Sequence, residues 1–137
     1  MLASEDLKGS PALTPVGQGS LEDRVLEAMM GLADAEPYGP LLRRQIGSKR
    51  VTRRQLSGVG FFLEFDTTGV PAIPDCEGPL PLDVYGQSPP DVLAGFILFM
   101  DRPGHAAMLE GFTYSGDWPA DVTDMTLMTS LEESLPQ

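Results

Sequence analysis

The first clear pattern along the chain is a single apolar stripe at helical spacing between residues 21 and 33. Ser20 stands just ahead of this stripe and is followed by two acids, a near-match to a capping box with Asp23 in place of the usual Glu. Acidic residues in a first turn also interact favourably with the helix dipole. We therefore predict an amphipathic helix over about Leu21 to Ala33, whose stripe consists of Leu21, Val25, Ala28, Met29 and Leu32.

After this helix the spacing of apolar residues changes to a period of two, which is typical of strands. Arg50 to Leu56 and Val59 to Phe65 each predict a strand, the second with its odd-numbered apolar residues on one face. The segment Val92 to Met100 is apolar on both faces, as expected of a central strand that is covered on each side. A turn-forming stretch at 101–104 leads into Ala106 to Tyr114, so we predict that these two segments form a hairpin.

Weaker patterns predict three further elements in addition to this helix and these strands. Leu41 to Ile46 predicts a further helical turn, Leu82 to Tyr85 a short edge strand, and Val122 to Met128 a last strand. Helices and strands do not alternate along the chain, which argues against a doubly wound α/β sheet. We predict an α+β fold in which an N-terminal amphipathic helix packs on a four- to six-stranded antiparallel sheet.

The length of 137 residues fits one domain. Residues 1–19 are rich in Ser, Pro and Gly and show no periodic apolar face, so they predict a flexible tail. We assign residues 20–131 to a single α+β domain and residues 132–137 to a C-terminal tail.

Charge is distributed unevenly along this acidic chain, which carries a formal net charge of −11. That charge argues against a general nucleic-acid binder, because phosphates would be repelled. Six of the nine basic residues nevertheless fall within residues 43–54, a stretch that contains no acid. Two interpretations stay open: neighbouring acids neutralise this basic stretch, or it forms a docking face for an acidic partner. Its members are Arg43, Arg44, Lys49, Arg50, Arg53 and Arg54.

Candidate chemistry is sparse. The single cysteine, Cys76, has no second thiol to pair with and no Cys or His at metal-ligand spacing, and the single histidine, His105, is expected to be a solvated turn residue. Gly58 and Gly60 lie between two predicted strands with no lysine after them, unlike a phosphate-binding loop. We predict no catalytic residue, metal or cofactor. No apolar run approaches the length of a membrane span and no signal peptide is visible, so the expected location is the cytoplasm, without membrane binding.

Glu110 is the most informative acidic residue because it interrupts an apolar stripe that also contains Met108, Phe112 and Tyr114. A covered carboxylate at this position needs a partner. One interpretation is an ion pair with Arg53 or Arg54 that fixes strand register. The other is a ligand-facing carboxylate beside Tyr114 and Trp118, a grouping suited to cationic or sugar-like ligands. These residues, Glu110, Tyr114, Trp118, Arg53 and Arg54, are the candidate binding residues.

Two segments resemble those of a family of small bacterial proteins of unknown function. They are Ser-Gly-Val-Gly-Phe-Phe at 57–62 and Met-Leu-Glu-Gly-Phe-Thr-Tyr at 108–114, the latter followed by Trp118-Pro119. Together with the Leu-rich segment and Gln45 ahead of them, the resemblance covers roughly residues 21–128. It implies a bacterial protein of a single domain and brings no assigned activity.

Two classes of function follow from these observations. The leading hypothesis is a non-enzymatic intracellular binding or interaction protein with another protein as its partner. An inhibitor or an immunity-type protein, steered to a basic partner by its acidic surface, is one concrete version. The alternative is a small enzyme that uses carboxylate acid–base chemistry, with Glu110 as the acid–base residue and Trp118 or Tyr114 as a substrate platform.

Overall fold

The computed structural model describes residues 14–89 and 91–130, which form two helices and a seven-stranded antiparallel sheet. The fold is therefore α+β. Helix α1 spans Gln18–Ala33 and helix α2 spans Gly39–Gly47. The strands are β1 (Arg50–Leu56), β2 (Gly60–Asp66), β3 (Gly78–Pro79), β4 (Val84–Ser88), β5 (Val92–Met100), β6 (Ala106–Thr113) and β7 (Thr126–Met128).

The long hairpin of β5 and β6 lies in the middle of the sheet, in the order β1-β2-β6-β5-β4-β7. Strand β3 pairs with β5 beyond the end of β4, where Gly78 and Pro79 lie opposite Met100 and Phe99. The hairpin predicted from the two apolar segments is confirmed, and β5 occupies the central position that its apolar pattern predicts. The prediction that β5 is covered on each side is wrong, because the described helices cover only one of its faces and Leu93, Ile97 and Phe99 on the other are only partly buried.

Both helices cover the same face of the sheet. The predicted apolar stripe of α1 provides one side of the core, in which Leu21, Val25 and Met29 are fully buried. The sheet provides the other side, and the predicted burial of Phe96 and Leu98 is confirmed. Other large side chains on this inner face are Phe61, Leu63, Phe65 and Leu109.

The helices differ from the prediction in number and in position. Helix α1 does not lie at the N-terminus of the chain but begins at Gln18, after Gly17, whose φ of 80° is left-handed. No side chain caps α1, so the capping box predicted at Ser20 is wrong. Helix α2 has nine residues instead of a single turn and carries Pro40 in its first turn, where proline is favoured.

The strands also exceed the predicted count. β1 and β5 have the predicted bounds, but the sheet has seven strands where four to six are predicted. The additional strand is β3, whose two residues are too few for a periodic pattern to show, whereas β7 is the end of the strand predicted at Val122 to Met128. Strand β4, predicted as an edge strand, lies between β5 and β7 instead. Val59, predicted to share a face with Phe61, lies in the turn before β2 and is 50% exposed.

The folded part of the chain begins before the predicted boundary at residue 20. Val16 forms a parallel bridge with Asp121, and Gln18 is 1% exposed. Residues 1–13 and 131–137, which include most of the two predicted tails, lie outside the described residues.

Two polar side chains hold the loops near the start of β6. Gln45 of α2 is fully buried, donates to the carbonyl oxygens of Pro71 (2.9 Å) and Gly104 (3.2 Å), and accepts from the Ala106 amide (2.8 Å). His105 is not the solvated residue that was predicted, because its side chain is 14% exposed and its Nε2 lies 3.0 Å from the Val70 carbonyl oxygen. Both residues therefore stabilise loop structure.

Candidate functional site

The face of the sheet that points away from the helices is apolar, and no described helix or strand lies over it. Side chains alternate between the two faces of a strand, so strands that are apolar throughout place a second apolar surface here. Tyr114 is 52% exposed and the other members are half-buried. We call this surface the open face; its members are Phe62, Tyr85, Leu93, Ile97, Phe99, Met108, Glu110, Phe112 and Tyr114.

Glu110 lies at the centre of the open face. Its cross-strand neighbours are Phe62 on β2 and Ile97 on β5, and Met108 and Phe112 flank it along β6. Among residues 14–89 and 91–130, no ion pair or side-chain hydrogen bond reaches the Glu110 carboxylate. Burial among these neighbours raises the pKa of Glu110, because a partly desolvated carboxylate is less stable in its charged form.

Two aromatic rings follow Glu110 on the same face of the sheet and extend across β5: Phe112, which flanks Glu110, and Tyr114 beyond it. The rings of Phe112 and Tyr114 contact each other edge to face, with centroids 5.3 Å apart. Gly95 lies beneath them, and a β-carbon there would come within 2.7 Å of Phe112 Cζ and 3.0 Å of Tyr114 Oη. Because Gly95 has no side chain, both rings can lie against the sheet. We call the rings of Phe112 and Tyr114 the aromatic platform.

The environment of Tyr114 is partly desolvated although its ring is exposed. Burial is the main factor that raises the pKa of its hydroxyl, and the nearby Tyr85 and Asp83 raise it further. Tyr85 lies directly opposite Gly95 on β4, so a third aromatic residue borders the platform.

Arg53, one predicted partner of Glu110, lies at the edge of the open face. It is opposite Glu64 in the register of β1 and β2, with Nη1 3.8 Å from Glu64 Oε2, and it donates to Gln55 Oε1 at 3.0 Å. The position next to Glu110 on β2 belongs to Phe62, whereas Arg53 lies on β1, two strands from β6, and is aligned with Met108 instead of Glu110. The predicted ion pair between Arg53 and Glu110 is not formed.

Arg54, the other predicted partner, belongs to a buried network on the opposite side of the sheet. It donates from Nε and Nη2 to the Glu22 carboxylate at 2.7 and 2.6 Å. Glu22 is 2% exposed and also accepts from Gln18 Nε2 at 2.9 Å. Arg54 pairs in register with the inward-facing Leu63, which directs its side chain towards α1. The predicted pairing with Glu110 is therefore wrong for Arg54 as well.

Trp118 does not join Glu110 and Tyr114. It is 9% exposed and packs in the core against Phe61 and Phe96, with ring centroids 5.4 and 6.3 Å away. Its Nε1 donates to Gln18 Oε1 at 3.2 Å. The structure thus places Glu110 and Tyr114 on the same face of the sheet, with Phe112 between them, and places Trp118 on the other side.

The basic stretch at 43–54 is largely neutralised by nearby acids. Arg43 bridges Glu27 and Asp34, at 3.2 and 2.9 Å. Arg50 contacts Asp66 at 3.0 Å. Lys49 lies near Asp23. Together with the pairs of Arg53 and Arg54, these contacts favour the interpretation that neighbouring acids neutralise the basic stretch. They leave little free positive charge for an acidic partner.

Two cavities that sequence reasoning did not find lie beside the proline-rich connection before β4. The larger, of about 600 Å³, is lined by Tyr38, Cys76 and several prolines; the smaller, of about 380 Å³, includes Cys76 and the pair Arg102–Glu77. The Tyr38 hydroxyl is buried without a hydrogen-bond partner among the described residues. Burial raises the pKa of the Cys76 thiol, so the reactive thiolate is disfavoured.

Neither a metal site nor a membrane-spanning helix is found in the described part of the chain. Residues 14–89 and 91–130 contain no group of three or more His, Cys, Asp or Glu side chains placed to hold a metal ion. Within the same residues, neither helix has the length and apolar composition that crossing a membrane would require.

Comparison of the chain with protein-family models, curated protein sequences and solved structures finds no match. The resemblance of the segments at 57–62 and 108–119 to a family of small bacterial proteins therefore stays a prediction. Function has to be inferred from the chemistry of the site itself.

Proposed function

We propose that this protein is a non-enzymatic binding protein that uses its open face to bind another protein. The observation that carries the proposal is the apolar, partly aromatic surface of the sheet with Glu110 at its centre, where no described residue pairs with the carboxylate. Contiguous apolar patches on soluble proteins commonly mark interaction sites, and aromatic residues and Met are enriched in interface cores.

The open face also favours a particular chemistry in the partner. A complementary surface must be apolar and must carry a basic group for Glu110, because an unpaired carboxylate buried in an interface is costly. The net charge of −11 would speed encounter with a basic protein. A second copy of the chain fits poorly, since a twofold axis through the centre of this face would bring two Glu110 carboxylates together. An inhibitor or immunity-type protein is the most specific form of the proposal.

A carboxylate enzyme is the alternative, and the geometry supports it less. Acid–base chemistry at Glu110 requires a second polar or titratable group within reach of the same substrate atom. The immediate neighbours of Glu110 are Phe62, Ile97, Met108 and Phe112, none of which can exchange a proton. The raised pKa of Glu110 is then a consequence of its apolar surroundings.

Selection of peptides from a displayed random library on the full-length chain would test the proposal. We expect the enriched peptides to combine apolar residues with Arg or Lys. Their binding should weaken by more than about tenfold on Ile97→Lys, which puts a like charge into the open face. Val51→Lys is the matched control, because Val51 is also apolar and 48% exposed but pairs in register with Phe65, which faces the helix side of the sheet. Peptides that bind both variants equally, or a selection without enrichment, would contradict the proposal.

A further inference from the structure

We infer that Glu110 and the aromatic platform form a subsite for one arginine side chain of the partner. This inference rests on the proposed function and names the group that the partner contributes. It follows from three features of the open face: an unpaired carboxylate, two adjacent rings, and a glycine that keeps those rings against the sheet.

The spacing of these features suits a long cationic side chain. Glu110 and Phe112 are two residues apart on one face of β6, which separates them by about 7 Å along the strand. Phe112 and Tyr114 extend over Gly95 on the neighbouring strand. An extended side chain can therefore lie across the platform while its charged end reaches the carboxylate.

The electrostatics of the open face favour a cation at this position. The next carboxylate on β2, Glu64, already faces Arg53. On β5 the residues that share this face are apolar, and on β4 they are Tyr85 and Gln87. Glu110 is the charge at the centre of the face, and an incoming cation would offset the desolvation that raises its pKa.

Arginine fits the site better than lysine. Its planar guanidinium can donate two parallel hydrogen bonds to a carboxylate and can stack on an aromatic ring at the same time. It is also more weakly hydrated than an ammonium group, so its transfer to a partly apolar surface costs less. The site offers a carboxylate and two rings side by side, the combination that a guanidinium uses and an ammonium uses only in part.

Gly95 allows the contribution of the platform to be tested without touching Glu110. A β-carbon at residue 95 would collide with the far ends of the Phe112 and Tyr114 side chains, which can rotate away from the sheet. Gly95→Ala should therefore displace the rings and leave the fold intact. Gly69→Ala is the matched control, because a β-carbon at residue 69 meets nothing within 4 Å.

The experiment is a titration of the isotopically labelled full-length chain with N-acetyl-argininamide, followed by backbone amide chemical shifts. We expect saturable shifts confined to residues around 95 and 110–114, with a Kd of about 1–10 mM. N-acetyl-citrullinamide, a neutral molecule of the same shape, should cause no saturable shift, and N-acetyl-lysinamide should bind more weakly. Glu110→Gln should weaken arginine binding about tenfold and Gly95→Ala about threefold, whereas Gly69→Ala should leave it unchanged.

Three results would overturn the subsite: equal binding of the arginine and citrulline compounds, equal binding to wild type and Glu110→Gln, or a lysine compound that binds as tightly as arginine. These outcomes differ from a failure of the proposed function. Displayed peptides whose binding depends on Ile97 but not on Glu110 would leave the open face as the binding surface and remove the arginine subsite. Absence of any face-dependent peptide would remove the proposed function itself.

Discussion

Glu110 carries its charge among apolar neighbours, and in the free protein no described cation offsets the cost. Burial raises its pKa in the folded state above the value of about 4.3 that is usual for an exposed Glu in the unfolded chain. Between the two pKa values the folded state binds the proton more tightly, so the contribution of Glu110 to the free energy of unfolding falls as pH rises through that interval. Above the interval the destabilising effect of the charge is fully present.

Glu110→Gln should therefore leave the melting temperature at pH 7 unchanged or raise it by about 1–3 °C. The difference from wild type should disappear well below the unfolded-state pKa of about 4.3, where the carboxyl group is protonated in both states. Thermal melting at several pH values measures this directly. A loss of about 1–3 kcal/mol at pH 7 would instead indicate that Glu110 is paired in the folded protein.

Glu22, in contrast to Glu110, is a buried carboxylate that accepts hydrogen bonds from Gln18 and Arg54. Arg54→Ala would leave this charge unpaired at 2% exposure, and we expect a loss of about 2–4 kcal/mol in the free energy of unfolding. Adding Glu22→Gln should recover part of that loss. Arg50→Ala, which breaks an exposed pair with Asp66, is the control and should cost less than about 1 kcal/mol in the same urea titration. Equal losses for Arg54→Ala and Arg50→Ala would contradict the structural role of the network.

At the scale of the elements, the strength of the local pattern decided which predictions were confirmed. β1 and β5 were predicted to the residue, because β1 is bounded by turn signals and β5 is continuously apolar. The start of α1 was missed, since it depends on the left-handed conformation of Gly17 and on the pairing of Val16 with Asp121. The pairing of Val16 with Asp121 joins distant parts of the chain, so local periodicity cannot predict it.

The same contacts yield a prediction about the chain's first described residues. A chain that begins at Ser20 loses the Val16 bridge and both side-chain hydrogen bonds of Gln18, one of which holds Trp118. We expect it to melt at least about 4 °C below a chain that begins at Thr14. Equal melting temperatures for the two chains, measured by circular dichroism, would show that residues 14–19 add nothing to stability.

At the scale of the whole molecule, the sequence pattern predicted half of the candidate site. The stripe that joins Glu110 to Phe112 and Tyr114 follows from strand alternation alone. The position of Trp118 does not, because its backbone amide donates to the Gly58 carbonyl oxygen (2.8 Å) and its ring enters the core on the helix side. The choice of partners for Arg53 and Arg54 likewise depends on strand register and on the position of α1, neither of which composition reveals.

Charge and the open face together predict how the protein associates with itself. Near the sequence pI of about 4.2 the net repulsion between copies vanishes, and burial, which raises the pKa of Glu110, favours its uncharged form. The repulsion between two Glu110 carboxylates, which opposes the pairing of two open faces, is then weakened. We therefore expect a monomer at pH 7 and reversible self-association near pH 4.5 in analytical ultracentrifugation. Ile97→Lys should suppress this association, whereas Val51→Lys, with the same change in net charge on the other side of the sheet, should not. Equal association of the two variants would show that net charge, and not the open face, controls self-association.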